Sequence, residues 1–412
     1  MQRQLPLLTP IRGIAALIVT YFHARLILFP QWRDSIAQST HFLENGYLWV
    51  DIFFILSGFV MTYVYQSTFA TGSSFKKWRG FVWLRFSRIY PLFFVTLAAL
   101  FIWEYYKSIH QIGFYAGPLF DAWGATGIPP FTGPFNRTET LLPNLFLVNG
   151  ILSQPLSWNI AGWSLSIEWL CYLVFPLLMS VLLRPAKSNA WLPVLIMLVL
   201  SGMVSMHGTL DITSTLNAFV RGICDFTLGM WLSRISFGPR MKSWVNHDGL
   251  LIALIIALIS VLQFSISYAV TMTTYVLFAL LVLVAANQQN RSSLLLGLLD
   301  NKVTQFLGDI SYSIYLWHSV LLLAGVEVIH HINPDWTAWW YAQTSVVTVL
   351  TGISIFTAVL IFVSVCSYYL FERPLMKWMR AMGDKRIRPE VSKAQPLNTI
   401  PVAEIQPLFS FT

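Results

Sequence analysis

The chain has 412 residues, of which 56% are hydrophobic and only 11% charged, with a formal net charge of +8 and a mean hydropathy of +0.62. Soluble domains carry about 25% charged residues, so a water-soluble globule is excluded and a polytopic membrane protein fits. The placement of the positive charge matters more than its sum, so no nucleic-acid partner is implied. Cys171, Cys224 and Cys366 all fall in apolar stretches, where they serve as small core residues rather than a disulfide framework.

Ten stretches are long enough to cross about 30 Å of hydrocarbon as helix, which takes about 20 residues. They lie near 7–29, 46–65, 86–104, 162–183, 190–206, 214–233, 249–267, 269–286, 306–329 and 338–370. The expected fold class is therefore all-α, a transmembrane helical bundle of about ten spans. The first stretch is interrupted by Arg12, and no small-x-small site follows it, which argues against a cleaved leader. It also contains His23. At about 100° per residue the two side chains share one helix face, with roughly 16 Å of rise between them. Ionisable groups in a membrane helix are costly and rarely accidental, so this face suggests a polar pathway. The second stretch holds Asp51 and Ser57, and the segment after it is basic, with Lys76, Lys77, Arg79, Arg85 and Arg88.

The longest connection, about 105–161, contains Gly117-Pro118, Pro129-Pro130 and Gly133-Pro134, so it is not regular helix throughout. Its apolar run from Leu141 to Val148 is too short to span and is expected to be re-entrant or to lie on the surface. Asn136-Arg137-Thr138 fits the N-glycosylation pattern, which is common by chance. Glu168 falls in the fourth span, about 9 Å below its outer end, and Arg221 in the sixth. The boundary between the seventh and eighth spans is a weak turn from Gln263 to Tyr268. His318 falls near the middle of the ninth, within Tyr315-Leu316-Trp317-His318. The tenth is long enough to be tilted or to run on into a surface helix. Residues 1–382 are thus expected to form the membrane domain and 383–412 a polar, disordered cytoplasmic tail.

Orientation follows from the basic residues. With both termini cytoplasmic, most of the 26 Lys and Arg fall inside, including Arg3, Arg184, Arg291, Arg373, Lys377, Arg380, Arg388 and Lys393. Outside segments hold only Arg33, Lys107 and Arg137. Cations then crowd the inner mouth, and His23, Asp51 and Glu168 lie in the outer half. Bland readings stand beside this one. His23 can be a helix-packing histidine, Arg85 and Arg88 ordinary inside-loop charges, Asp51 and Glu168 structural partners of a buried Arg or His, and His318 part of an aromatic layer. The histidines show no metal-ligand spacing, and there is no phosphate-binding glycine loop or Gly-x-Ser-x-Gly elbow.

Six motifs in order carry a resemblance. They are Arg12-Gly-Ile-Ala-Ala-Leu-Ile-Val-Thr-Tyr-Phe-His23, Trp49-Val-Asp51-Ile-Phe-Phe-Ile-Leu-Ser57-Gly58, and Arg85-Phe-Ser-Arg88-Ile-Tyr-Pro91. Trp163-Ser-Leu-Ser-Ile-Glu168-Trp-Leu-Cys-Tyr172, Leu307-Gly-Asp-Ile-Ser-Tyr312-Ser-Ile-Tyr-Leu-Trp317-His318 and Phe371-Glu372-Arg373-Pro374 complete the series. With these the chain resembles the integral-membrane acyltransferase family 3, which O-acylates bacterial surface sugars. The usual Leu-Asp-x-Leu before the first Arg is here Leu7-Leu8-Thr9-Pro10, which bears on how that helix starts. Some relatives append a hydrolase-like domain, and none is expected here.

The resemblance implies a multi-pass protein of the bacterial inner membrane that moves an acyl group, commonly acetyl, from cytoplasmic acyl-CoA to a carbohydrate hydroxyl, with no bound cofactor. The polyanionic donor should meet Arg85, Arg88 and neighbouring Lys76, Lys77 and Arg79, and Arg12 should hold a phosphate or the pantetheine arm. His23 is the expected general base, its ring oriented by Asp51 or Glu168. Ser57, Tyr315 and His318 are candidate substrate contacts, and the oxyanion donor stays open between a Tyr, Ser57 and a backbone amide. A transporter or flippase for acyl groups or lipid-linked sugars is the competing class. Intramembrane His and carboxylates suit it equally, but no repeat symmetry supports it.

Overall fold

The computed structural model describes residue 5 and residues 7–386, apart from 71, 154–155, 183–185 and 289–293. Arg3, Arg184, Arg291, Arg388, Lys393 and most of the expected tail lie outside these. Twelve helices organise the described chain: α1 (Leu8–Ile27), α2 (Trp49–Ala70), α3 (Phe75–His110), α4 (Gly162–Leu182), α5 (Trp191–His207), α6 (Thr215–Leu232), α7 (Asp248–Val261), α8 (Tyr268–Asn287), α9 (Lys302–Asp309), α10 (Ser311–Ile332), α11 (Val346–Ser367) and α12 (Arg373–Arg386). Shorter helices fill the connections. Apolar side chains stand on the outside of the bundle, Val347 at 74% and Leu177 at 69% exposed, a surface that suits lipid and not water. The protein is an all-α, multi-pass membrane protein.

Each expected stretch is helical, but the limits differ. Among the described residues seven helices are long and apolar enough to cross a membrane, or up to eight if Pro239–Val245 and α7, bent by 53°, count as one span. Helix α5 is shorter, with 17 residues. Helix α6 carries Arg221 and Asp225, both fully buried. Helix α3 begins at Phe75, well before the expected start at 86, because Ser74 caps it by accepting from the Lys77 amide at 3.3 Å. Lys76 to Arg88 are thus helical. Pro91 is accommodated inside α3, as membrane helices permit where neighbours re-satisfy the backbone. The helix stops at Gln111, whose φ of 55° is a left-handed cap.

The expected span 306–329 is broken at Ile310 into α9 and α10. Asn301 caps α9 by accepting from Val303 and Thr304 amides at 2.9 and 3.1 Å, and Ser311 donates to the Gly308 carbonyl at 2.7 Å across the break. The expected span 338–370 starts late, because Pro334–Tyr341 forms a separate helix and α11 begins at Val346. Beyond α11, Tyr368–Glu372 makes one π-helical turn. Residues 383–386, assigned to a disordered tail by sequence, continue α12.

Small residues set the closest crossings, as is usual between membrane helices. A Cβ on Gly58 of α2 would lie 1.9 Å from the Phe226 carbonyl oxygen of α6. One on Gly229 of α6 would lie 1.9 Å from the Ile55 carbonyl oxygen of α2. Gly13 of α1 and Gly308 of α9 meet the same way, with Leu307 and Thr9 backbone at 2.8 and 2.2 Å. Helix α12 docks on α3, where the Trp83 indole donates to the Met379 carbonyl at 3.0 Å.

The long connection is fastened by buried charge. Lys107 lies 2.6 Å from Glu104 and 2.9 Å from Glu327 of α10. Glu104 also accepts from the Phe131 amide at 3.1 Å and the Asn136 side chain at 2.7 Å. Glu327 accepts from the Trp103 indole at 2.6 Å. The Asn136 amide of the apparent glycosylation pattern is thus engaged in packing. Leu141–Leu145 and Asn149–Leu152 form short helices, and Asn149 and Gly150 are buried.

Candidate active site

A cavity of about 160 Å³ lies where α1, α2, α3, α4, α10 and α12 converge. Its lining includes Arg12 from α1, Arg85 and Arg88 from α3, Ser57 and Tyr65 from α2, Glu168 and Tyr172 from α4, and Tyr312 and Tyr315 from α10. Arg12, Arg85 and Arg88 thus share one wall system, although they come from opposite ends of a 77-residue stretch of sequence. Arg85 donates to the Tyr65 hydroxyl at 3.2 Å and to the Met61 sulfur at 3.4 Å. Arg88 sits 5.4 Å over the Tyr312 ring and pairs with Glu372.

Glu372 is the residue that the π-turn turns inward. It is 1% exposed, and its second oxygen accepts from Ser313 at 2.7 Å. One guanidinium of the site is thereby held in place from behind. Two further consequences come from α12. Arg373, Lys377 and Arg380 line the cavity, at one- and two-turn spacings that put them on one helix face. Lys76, Lys77 and Arg79, expected at this place, are not among its lining residues. They lie in the first turns of α3, and α12 supplies cations to the cavity instead. Cations outnumber carboxylates around this space. Asp309, at the end of α9 and outside the spans, also lines it. Burial pushes its carboxyl up to about 6, against the pull of Arg88 and Arg12.

Glu168 does not reach His23. It accepts from the Ser57 hydroxyl at 2.6 Å and from Tyr172, and so belongs to the arginine cavity. Asp51 does not reach it either. Both its oxygens meet Arg221, at 2.6 Å to Nε and 2.8 Å to Nη2. The pair is completely buried, and Arg221 also donates to the Ile212 carbonyl at 3.2 Å. A bidentate carboxylate with a buried guanidinium locks α2 to α6. Neither carboxylate thus orients the His23 ring here: Asp51 is the structural partner of a buried Arg, the alternative expected beside that role, and Glu168 binds two hydroxyls.

What His23 does meet is His318. The His23 Nδ1 lies 3.2 Å from His318 Nε2 and 3.0 Å from the Val19 carbonyl. His318 is fully buried, and its Nδ1 lies 3.3 Å from the Ile314 carbonyl. Tyr315 connects this pair to the cavity. It lines the cavity, shares a hydrogen bond with Ser164 at 2.7 Å, and places its ring 5.8 Å from that of His318. Helices α1 and α10 run the same way here. Arg12 and the start of α10 border the cavity, and His23 and His318 lie beyond it.

The sequence offered Asp51 as the partner of a buried Arg without naming Arg221, and gave no individual role to Glu372, Tyr172, Asp309 or the α12 cations. A signal existed for Arg221, since a guanidinium inside a span needs an acid. The inward turn of Glu372 depends on a one-residue bulge that no periodicity announces.

A family model described as an acyltransferase domain matches residues 8–372. The chain is 25% identical over 327 residues to ORF330 of Acidianus two-tailed virus, a protein named as an acetyltransferase, covering 77% of this chain and 83% of that one. It is 31% identical over 179 residues to the acyltransferase MdmB of Streptomyces mycarofaciens, covering 42% of this chain and 39% of that one. Protein 2 of the picA locus of Rhizobium radiobacter is 36% identical over 107 residues, 26% of this chain and 48% of that one. No solved structure matches.

Proposed function

The chain belongs to the integral-membrane acyltransferase family 3, and on that premise we propose that it moves an acyl group, acetyl first, from cytoplasmic acyl-CoA to a hydroxyl of a surface polysaccharide or lipid-linked sugar in the bacterial inner membrane. One observation carries this reading. Arg12, Arg85 and Arg88 line a single cavity with Tyr315, and Tyr315 abuts the His318–His23 pair. The cationic cavity suits the phosphates of a polyanionic donor. The roughly 16 Å rise between Arg12 and His23 is the distance its flexible arm would bridge to bring the thioester to the histidines.

At the far end His23 takes the proton of the acceptor hydroxyl as its oxygen attacks the thioester carbonyl. The tetrahedral intermediate collapses with loss of the thiolate, which receives the proton back from the His23 imidazolium. The ester is formed and CoA leaves with its thiol restored. Tyr315 borders His318 and Ser57 lies deeper on the cavity wall, and either hydroxyl would turn from its present partner, Ser164 or Glu168, to meet a developing oxyanion. Glu168 and Asp51 act at one remove, Glu168 by holding Ser57 and Tyr172, and Asp51 by holding Arg221.

The test is release of free CoA by protein purified into nanodiscs with a sugar acceptor, which a transporter would not produce. His23→Ala should fold and insert normally and lose about 10²–10⁴-fold in transfer, the usual cost of a missing general base. Near-normal turnover by a well-folded His23→Ala protein would remove the assignment.

A further inference from the structure

We propose that His318 is a positioning residue that holds His23 as its Nδ1–H tautomer and leaves the His23 Nε2 lone pair bare for the proton of the acceptor. The inference rests on His23 being the base, and it adds which nitrogen acts and what fixes it.

The neighbours of the two rings fix which nitrogens donate and which accept. A neutral imidazole has one N–H and one lone pair in its ring plane. A backbone carbonyl can only accept. His318 Nδ1 faces the Ile314 carbonyl at 3.3 Å, so Nδ1 carries the hydrogen of His318 and its Nε2 is an acceptor. That acceptor faces His23 Nδ1 at 3.2 Å. His23 Nδ1 also faces the Val19 carbonyl at 3.0 Å. Both neighbours of His23 Nδ1 accept, so Nδ1 carries the hydrogen of His23, shared between them. The remaining nitrogen, Nε2, is the base. Two carbonyls one helical turn back, on α1 and on α10, fix both rings without any carboxylate.

The surroundings keep the pair in this state. His318 has no exposed surface, so water cannot compete for its Nε2. The Phe22 ring stands edge-on to His23 with centroids 4.9 Å apart, and Tyr315, tied to Ser164, borders His318. When His23 takes the acceptor's proton on Nε2, its Nδ1–H becomes the donor of a charge-assisted bond to a neutral ring. A triad carboxylate would do the same job with a full charge. In a buried site a neutral acceptor avoids the desolvation cost of a buried carboxylate.

Two measurements test this. His318→Gln keeps an oxygen acceptor near the place of Nε2, and His318→Phe keeps the volume without it. His318→Phe should lower kcat about 10- to 100-fold, the scale seen when the hydrogen-bond partner behind a metal-binding histidine is removed, with donor KM unchanged. His318→Gln should recover most of kcat. Equal losses in the two variants alongside an inactive His23→Ala would overturn the positioning role and leave His23 as the base. An active His23→Ala would instead remove the reading beneath it. Independently of folding in any variant, ¹⁵N NMR of the parent protein labelled at histidine, with the His23 signals identified by their absence in His23→Ala, should show Nδ1 protonated and Nε2 bare at neutral pH. A proton on Nε2 would overturn the proposal.

Discussion

Asp309 gives the site its own dependence on pH. Burial holds its carboxyl near 6, so below that value it is neutral and above it the cavity carries one more negative charge. The donor is an anion on the proposed reading, so its affinity should be higher below pH about 6 and fall as pH rises through it. A unit charge several Å away in a hydrated cavity is worth about three- to tenfold. Asp309→Asn should remove this step and keep the higher affinity across the range. The donor's own phosphates titrate alike against both proteins, so the difference between the two profiles reads Asp309 alone. Superimposable profiles from calorimetry would contradict it. At this scale much of the candidate site was legible in the sequence. Arg12 and His23 declared themselves by their shared helix face, and Arg85 and Arg88 by their motif. The partners were legible only in kind, since a buried Arg was open to Asp51, but a buried carboxylate can satisfy whichever cation the tertiary fold brings to it. Asp51 found Arg221, 170 residues away in sequence, and Glu168 found two hydroxyls.

Helices α2 and α6 meet at two glycines that leave no room for a methyl group, and their crossing also holds the Asp51–Arg221 pair. Gly58→Ala would drive a Cβ toward the Phe226 carbonyl, and the helices must separate to admit it. Overpacking of this kind costs about 1–3 kcal/mol, and here it also strains a buried ion pair. A lowered midpoint in thermal unfolding from detergent is expected for Gly58→Ala. Gly202→Ala in α5, where nothing lies within 4 Å, should leave the midpoint in place. Equal midpoints for both variants would show that the crossing is looser than described. Element existence was readable from apolar length alone, but element limits were not. Ser74 starts α3 early, the Gly308-to-Ser311 junction splits a continuous apolar run into α9 and α10, and Pro334 begins a separate helix before α11. In each case local capping chemistry overrode a window of hydropathy.

For the molecule as a whole, the proposed reaction needs donor and acceptor to approach from opposite faces. The basic segment around Ser74 is then cytoplasmic, and the connection bearing Thr126 is outside. Both positions are exposed. Single cysteines at Ser74 and Thr126, probed on intact cells with an impermeant thiol reagent against the parent chain as blank, should label at Thr126 only. Labelling at Ser74 would invert the orientation and with it the route of the acyl group. The cationic face of α12 belongs to the same scheme, and it depends on one turn of backbone. Tyr368–Glu372 is wound with an i to i+5 pattern, which holds one residue more than an α-helical turn would need. Deleting one residue there would remove the surplus and let the chain rewind as α-helix, with the helix beyond kept in phase. Arg373, Lys377 and Arg380 would stay on the cavity, and the widened turn that brings Glu372 inward to Arg88 would be lost. A residue added to the turn meets no such reserve, and taken up as α-helix it would rotate everything beyond by about 100°. Loss of a residue is thus a local event in this segment, whereas a gain misaligns a whole wall of the cavity.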